Sequence, residues 1–194
     1  SSLKNIKIKK AINHPTWKMG KKISIDSSTL INKVYELIEA KKIFNMDYSK
    51  FDILIQPTSY AHSIIKFKSG IIKVLIHNTS MIIPIFNSLY NDKKFESKIS
   101  TDINLDLMNN LNLQRVPLKK FPINKILNQL PKTDSLFETI LVSANDTLVN
   151  LFLSKKILYT EIHSYLNKVL SLNEFQKYKS KKPKNLTEIQ NLNE

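Results

Sequence analysis

Four polar residues that could together bind an anion and a cation lie close together in the sequence, at Ser27, Asn32, Lys33 and Glu36. Apolar residues recur around them at helical spacing, so we predict a helix over 28–44. The start of a helix offers free backbone N–H groups and the positive end of its dipole, which suits phosphate. Glu36 would lie on the same helix face as Asn32, one turn further on. A carboxylate beside an anion favours a divalent cation between them, so the pattern predicts a phosphate-and-metal site.

A simpler interpretation of the helix stays open at this point. A lysine and a glutamate three residues apart, such as Lys33 and Glu36, also fit a solvated ion pair worth about 0.3 kcal/mol. The residue types alone do not decide between an exposed ion pair and a binding site.

The loop that precedes the helix favours the binding site. It carries His14, Trp17, Met19 and Gly20; Trp17 is the only tryptophan of the chain, and Gly20 is one of its two glycines. An aromatic loop with a glycine hinge, placed just before an anion site, is typical of a lid that closes over a ligand. The alternative is that Trp17 anchors the loop to the core.

The elements around this segment predict an α+β fold. Alternation of Ile23 and Ile25 with polar residues predicts a short strand at 21–26, after which 26–28 would cap the helix. A β-rich run at 51–57 precedes two apolar runs, 62–67 and 71–76, joined through Gly70 as a hairpin. A short helix is predicted at 84–90.

The second half of the chain is predicted to be helical. Residues 91–121 are polar and are expected to form a connector. Helices are predicted at 123–130, 134–155 and 159–171, the second with Asp134 or Ser135 near its cap, and a weaker helical segment after Pro183. We therefore expect the end of an α/β catalytic domain with a hairpin at 1–90, the connector at 91–121, and a helical domain at 122–194.

Composition excludes several classes of site. There is no cysteine, so disulfides, thiolate nucleophiles and cysteine-ligated zinc are excluded in this segment. The net charge is +14, yet Arg115 is the only arginine. Because arginine dominates base recognition and phosphate clamping, we do not expect a specific nucleic-acid reader. No apolar run is long enough to cross a bilayer, so we expect a soluble protein.

The stretch HPTWKMGKKISIDSSTLINKVYELIEAKKIF, at 14–44, closely resembles the active-site segment of the 1-deoxy-D-xylulose 5-phosphate reductoisomerase family, approximately HPxWxMGxKIxxDSATxxNKxxExIEA. Weaker similarity follows in ILIQPTSYAHSIIKF at 53–67 and in SANDTLVNLFLSKKI at 143–157. The resemblance therefore spans most of the chain.

The resemblance implies an enzyme that rearranges 1-deoxy-D-xylulose 5-phosphate and reduces the product with NADPH to 2-C-methyl-D-erythritol 4-phosphate, in isoprenoid synthesis. It implies a catalytic role for Glu36 and Lys33, with Glu36 as a ligand of Mg²⁺ or Mn²⁺. Met19 and Gly20 would face the nicotinamide of NADPH. The substrate would contact His14, Trp17, Ser27, Asn32, Lys33 and Glu36.

The resemblance also implies partners outside this chain. The family's Gly-rich NADPH-binding domain and its Asp-Ser-Glu metal motif would precede residue 1, so we expect the isolated segment to be inactive. A homodimer in the bacterial cytoplasm is implied, with a plastid as the alternative compartment. The chain departs from the family pattern at Val34, Gln56 and 78–80. A degenerate, inactive relative and a basic nucleic-acid-binding helical module stay open as alternatives.

Overall fold

The computed structural model describes residues 6–13, 18–90 and 102–193. The fold is α+β, as predicted: helices predominate, and the strands form two small antiparallel sheets. The chain groups into two compact units. One joins the chain up to Ile53 to the chain from Pro117 onward, and the other is Leu54–Val116. The domain boundaries predicted at 90 and 121 stay a prediction. In the structure, the helices before Ile53 and those after Pro117 pack into one unit.

The first unit begins with three helices. These are α1 (Ile8–Ala11), α2 (Lys21–Ser28) and α3 (Ile31–Phe44). The strand predicted at 21–26 is wrong, since these residues form α2. The alternation that suggested a strand spans only two isoleucines, and only Ile25 is buried, whereas Ile23 is 42% exposed. Such a short alternation does not distinguish a strand from a helix that packs one face on a core.

A sharp corner separates α2 from α3. Leu30 adopts a left-handed conformation with φ of 62°, and it precedes α3 without a capping side chain. The prediction that 26–28 cap the helix is therefore wrong: Asp26 is buried within α2, and Ser28 ends it. The predicted helix start at 28 moves to Ile31, because the left-handed residue interrupts the helical hydrogen bonds.

In its described residues, the second unit contains both sheets and two helices. Strand β1 (Leu54–Ile55) pairs with β4 (Gln114–Arg115), and β2 (Ala61–Lys66) pairs with β3 (Ile72–Ile76). The predicted hairpin is confirmed: Gly70 has φ of 89° in its turn, a conformation that glycine adopts without steric cost. Helix α4 (Ile82–Leu89) confirms the prediction at 84–90, and α5 (Leu105–Asn109) lies in the predicted connector, of which 91–101 fall outside the described residues.

The C-terminal helices complete the first unit. They are α6 (Ile123–Leu127), α7 (Phe137–Leu153), α8 (Glu161–Leu170), α9 (Asn173–Gln176) and α10 (Leu186–Asn193). The N-cap of α7 is Leu136, and Ser135 lies next to it, as predicted; the Ser135 hydroxyl accepts a hydrogen bond from the Phe137 amide at 3.1 Å. The core of this unit includes the first helices as well as the C-terminal ones, and the helical domain predicted at 122–194 stays a prediction. The largest fully buried side chains of this unit are Ile25, Ile31, Val34, Ile126, Leu136, Phe137, Leu141, Asn145, Val149, Ile162, Leu166 and Leu170.

No described helix combines the length and the apolar character that a membrane crossing requires.

Candidate functional site

Three of the predicted site residues meet on the exposed face of α3. The Glu36 carboxylate accepts a hydrogen bond from Asn32 Nδ2 at 2.7 Å through one oxygen. Its other oxygen is 2.7 Å from Lys33 Nζ. The Lys33 and Glu36 side chains are 47% and 45% exposed, so both can be reached by a ligand. The predicted grouping of Asn32, Lys33 and Glu36 is therefore what the structure shows.

The first turn of α3 is chemically suited to an anion. No side chain caps it, so its N–H groups receive no side-chain acceptor. Ile31 and Val34 are fully buried, and this burial fixes which face of the helix the polar residues occupy. Free amides, the helix dipole and the Lys33 ammonium together favour a phosphate-like ligand at this end.

Ser27 occupies a different position from the one predicted. It lies in the last turn of α2, where it is half-buried, and its carbonyl accepts a hydrogen bond from the Leu30 amide at 3.1 Å. It therefore precedes the corner, whereas Asn32 and Lys33 follow it. The corner at Leu30 therefore determines the position of Ser27 relative to the start of α3.

The loop residues are described only in part. Gly20 comes directly before α2, and its carbonyl accepts from the Ser24 amide at 3.1 Å and the Ser24 hydroxyl at 2.9 Å. A Cβ atom at Gly20 would meet no atom within 4 Å, so packing within the described residues does not require glycine there. Met19 is half-buried. His14 and Trp17 lie outside the described residues, and their predicted roles stay predictions.

Two side chains, one from the turn before α8 and one from α8 itself, hold the corner in place. Tyr159 donates its hydroxyl proton to the Ser28 carbonyl at 2.6 Å. His163 Nε2 lies 2.9 Å from the Thr29 carbonyl. Because a carbonyl only accepts, Nε2 carries the proton, and Nδ1 is left as an acceptor. Burial lowers the pKa of the His163 imidazole, and the hydrogen bond to Thr29 offsets this only in part.

A buried polar cluster fixes the other side of α2. Asp26, only 2% exposed, accepts a hydrogen bond from Asn145 Nδ2 at 2.8 Å and pairs with Lys22 Nζ at 2.9 Å. Lys22 also pairs with Asp146 at 2.8 Å. Burial alone would lower the pKa of Lys22, but hydrogen bonds and attraction to the two aspartates raise it above its usual value. The neighbouring Tyr35 hydroxyl has its pKa raised, first by burial and then by the two aspartates.

Sequence similarity assigns this arrangement to a family. A family model described as the DXP reductoisomerase C-terminal domain matches residues 76–194. The chain belongs to the DXP reductoisomerase family. A second model, described as the 1-deoxy-D-xylulose 5-phosphate reductoisomerase C-terminal domain, matches residues 1–44, which contain α3 and the corner.

Named relatives agree with this assignment. The chain is 55% identical over 193 residues to 1-deoxy-D-xylulose 5-phosphate reductoisomerase of Pelagibacter ubique, covering 98% of this chain and 49% of the relative. It is 38% identical over 177 residues to the enzyme of that name from Sulfurihydrogenibium, covering 91% of this chain and 47% of the relative. The chain thus spans about half the length of these DXP reductoisomerases.

Solved structures share the fold. A DOX-P reductoisomerase in complex with NADPH, fosmidomycin and magnesium matches with a TM-score of 0.87 at 28% identity, over 98% of this chain and 48% of that one. A reductoisomerase from Zymomonas mobilis in complex with NADPH matches with a TM-score of 0.78 at 26% identity, over 98% of this chain and 48% of that one.

Departures from the DXP reductoisomerase pattern have local structural explanations. Val34 is fully buried, so packing accounts for an apolar side chain at this position. Gln56 bridges a turn, accepting from the Tyr60 amide at 2.7 Å and donating to the Leu111 carbonyl at 2.9 Å. In segment 78–80, the Ser80 hydroxyl accepts a long hydrogen bond, at 3.4 Å, from the first amide of α4.

Some residues were misjudged or missed from sequence. A single histidine on an apolar strand is more often a hydrogen-bonded core residue, but His62 is exposed and stacks on His77 with ring centroids 3.5 Å apart. Tyr159 and His163 were not connected to the site. Tyr159 lies in the turn before α8 and His163 in its first turn, and their partners lie more than 130 positions away in sequence, so no local pattern links them to the corner.

Proposed function

We propose that this chain is the C-terminal part of an enzyme that converts 1-deoxy-D-xylulose 5-phosphate to 2-C-methyl-D-erythritol 4-phosphate with NADPH, in isoprenoid biosynthesis. The observation that carries the proposal is the 55% identity to the Pelagibacter ubique enzyme over 193 residues. The polar cluster on α3 supports it, because the residues that the reaction needs are both present and exposed.

Asn32, Lys33 and Ser27 bind the substrate phosphate in this proposal. The Lys33 ammonium supplies charge, while the uncapped amides of α3 and the Asn32 amide supply directed hydrogen bonds. Lys33 is already 2.7 Å from Glu36. Binding of phosphate therefore draws Lys33 away from Glu36 and frees one carboxylate oxygen.

Glu36 is the proposed metal ligand. A carboxylate suits Mg²⁺ or Mn²⁺, and its exposure leaves room for a hydrated cation. Within the described residues no group of three histidine, cysteine or acidic side chains could hold a metal, so Glu36 would be one ligand of a set completed by other segments. A bound divalent cation would polarise the ketone and hydroxyl oxygens of the substrate.

NADPH binding also requires residues beyond this chain. Two glycines cannot form a G-x-G-x-x-G loop, so the dinucleotide-binding domain is expected in the remaining half of the relatives' length. Met19 and Gly20 are proposed to contact the nicotinamide. His14 is proposed to contact the substrate, and Trp17 to cover it as part of a lid, excluding water before hydride transfer.

Homodimer formation is proposed for the second unit. Its strands expose large apolar residues, among them Ile65, Ile72 and Leu75 at 52%, 58% and 55%. An exposed apolar sheet of this kind is typical of an interface. A cytoplasmic location is proposed from the resemblance alone.

The decisive experiment joins this chain to the N-terminal half of the Pelagibacter ubique relative and follows NADPH oxidation with 1-deoxy-D-xylulose 5-phosphate and Mn²⁺. Metal-dependent turnover is the expected result. A folded fusion that binds NADPH but does not oxidise it would contradict the proposal and favour a degenerate relative. Salt-sensitive, sequence-specific binding of an oligonucleotide by the chain would favour the nucleic-acid-binding alternative.

A further inference from the structure

A cavity lies in the first unit, between segment 119–125 and helix α8. Its volume is about 410 Å³, enough for a small phosphorylated molecule. None of the predicted site residues that the structure describes lines it. Its walls include both Tyr159 and His163, the residues that hold the corner between α2 and α3.

The charged side chains that line this cavity, among the described residues, are all positive. They are Lys119, Lys120 and Lys125. Within the described part of the chain, none of the three lysines forms an ion pair. Glu161 of α8 follows the lining residue Thr160 but does not line the cavity. Its carboxylate accepts a hydrogen bond from the Leu158 amide at 2.7 Å.

One buried side chain of the cavity lacks a hydrogen-bond partner. His163 is only 7% exposed, and its Nδ1 atom has no partner among the described residues. The hydrogen bond from Nε2 to Thr29 fixes the tautomer, so Nδ1 presents a lone pair that needs a donor. Buried polar atoms without partners are rare in folded proteins, and a ligand is one means of satisfying them.

We propose that this cavity is a second binding site for a small phosphate-bearing ligand, distinct from the site at the start of α3. The three lysines neutralise the phosphate oxygens, and the hydroxyls of Thr160 and Ser164 add hydrogen bonds.

Occupancy of this site is transmitted to the corner. His163 lines the cavity and bonds the Thr29 carbonyl through Nε2, so its imidazole lies between the ligand and the corner. Tyr159, which bonds the Ser28 carbonyl, lines the same cavity. Ligand binding therefore changes the environment of Ser28 and Thr29, and through the corner it biases the start of α3.

The test titrates inorganic phosphate into the full 194-residue chain carrying Lys33→Ala, which weakens phosphate binding at the first site. Nuclear magnetic resonance follows the His163 ring nitrogens and the amides of Ser28 and Thr29. Saturable shifts of all three are expected. If none of the three shifts, the proposal is overturned, whatever the outcome of the activity assay of the fusion.

Matched variants separate a built site from general attraction to a basic surface. Lys120→Ala and Lys125→Ala should each weaken phosphate binding about three- to tenfold at low salt, since each removes a charged hydrogen-bond donor. Lys156→Ala, an exposed lysine outside the cavity, removes the same charge and should leave the affinity unchanged. Equal effects of all three variants would indicate an adventitious ion only, and would overturn the proposal.

Discussion

Asn145 Nδ2 donates a hydrogen bond to Asp26 Oδ1 across 2.8 Å, although the two residues are 119 positions apart. Both are buried, Asn145 completely, and Lys22 completes the pairing of the aspartate. The contact fastens α2 to α7 one residue before Ser27. The position of a candidate substrate-binding residue thus depends on a side chain of the C-terminal helical bundle.

Replacing Asn145 should therefore destabilise the protein strongly. Asn145→Ala leaves a buried carboxylate without one of its donors, and we expect a loss of about 2–3 kcal/mol in the free energy of unfolding, measured by urea denaturation. Asn150→Ala, the same change at an exposed position of α7, should stay within about 0.5 kcal/mol of the parent. Equal losses would show that the buried contact contributes little.

Stability should depend on pH through His163. Burial holds its folded pKa below the usual value of about 6.5, so the unfolded chain binds more protons as pH falls. Stability is therefore complete above about pH 6.5 and is lost as pH falls toward the folded pKa, by at most about 1.4 kcal/mol per pH unit. Urea denaturation at several pH values measures this slope.

Two histidine variants test the origin of that slope. His163→Gln keeps a donor for the Thr29 carbonyl without a titrating ring, and it should flatten the profile below pH 6.5. His62→Gln, at an exposed position of the second unit, should leave the profile as it is. An unchanged slope in His163→Gln would assign the acid sensitivity to other groups.

The Tyr159 hydroxyl should stabilise the corner specifically. Tyr159→Phe removes the hydrogen bond to the Ser28 carbonyl but retains the ring that packs edge-on against Phe152 at 5.8 Å. We expect a loss of about 1 kcal/mol in unfolding free energy, together with faster amide hydrogen exchange at Leu30. Loss of stability with unchanged exchange at Leu30 would contradict a local effect on the corner.

Glu36 should be needed for turnover by the assembled enzyme. In the fusion described above, Glu36→Gln removes the charge of the proposed metal ligand, and we expect the rate with Mn²⁺ to fall roughly a hundredfold or more. Glu174→Gln, an equal change at an exposed position of α9, serves as the control. Retained activity in Glu36→Gln would remove Glu36 from the metal site.

Local patterns were sufficient to predict much of the fold. The hairpin followed from Gly70 and its flanking apolar runs, and α3, α7 and α8 followed from apolar residues at helical spacing. Each of these elements is specified by residues close together in sequence. The grouping of Asn32, Lys33 and Glu36 followed for the same reason, because one helix carries all three.

Features set by distant partners could not be predicted. Helix α2 was predicted as a strand because its buried face is defined by Asn145 and other residues of the C-terminal helices, not by its own short alternation. The corner was missed because Leu30 is an unusual residue for a left-handed conformation, which glycine or asparagine normally adopts. The cavity near α8 has no sequence motif at all.

The first unit is assembled from two stretches of chain that flank the whole second unit. During synthesis on a ribosome, α2 and α3 emerge more than a hundred residues before Tyr159 and His163 do. Until then Asp26 has no Asn145 to pair with, and the apolar faces of both helices have nothing to pack against. The segment that carries Asn32, Lys33 and Glu36 therefore stays without its packing partners, and accessible to chaperones and proteases, until α7 and α8 have been translated.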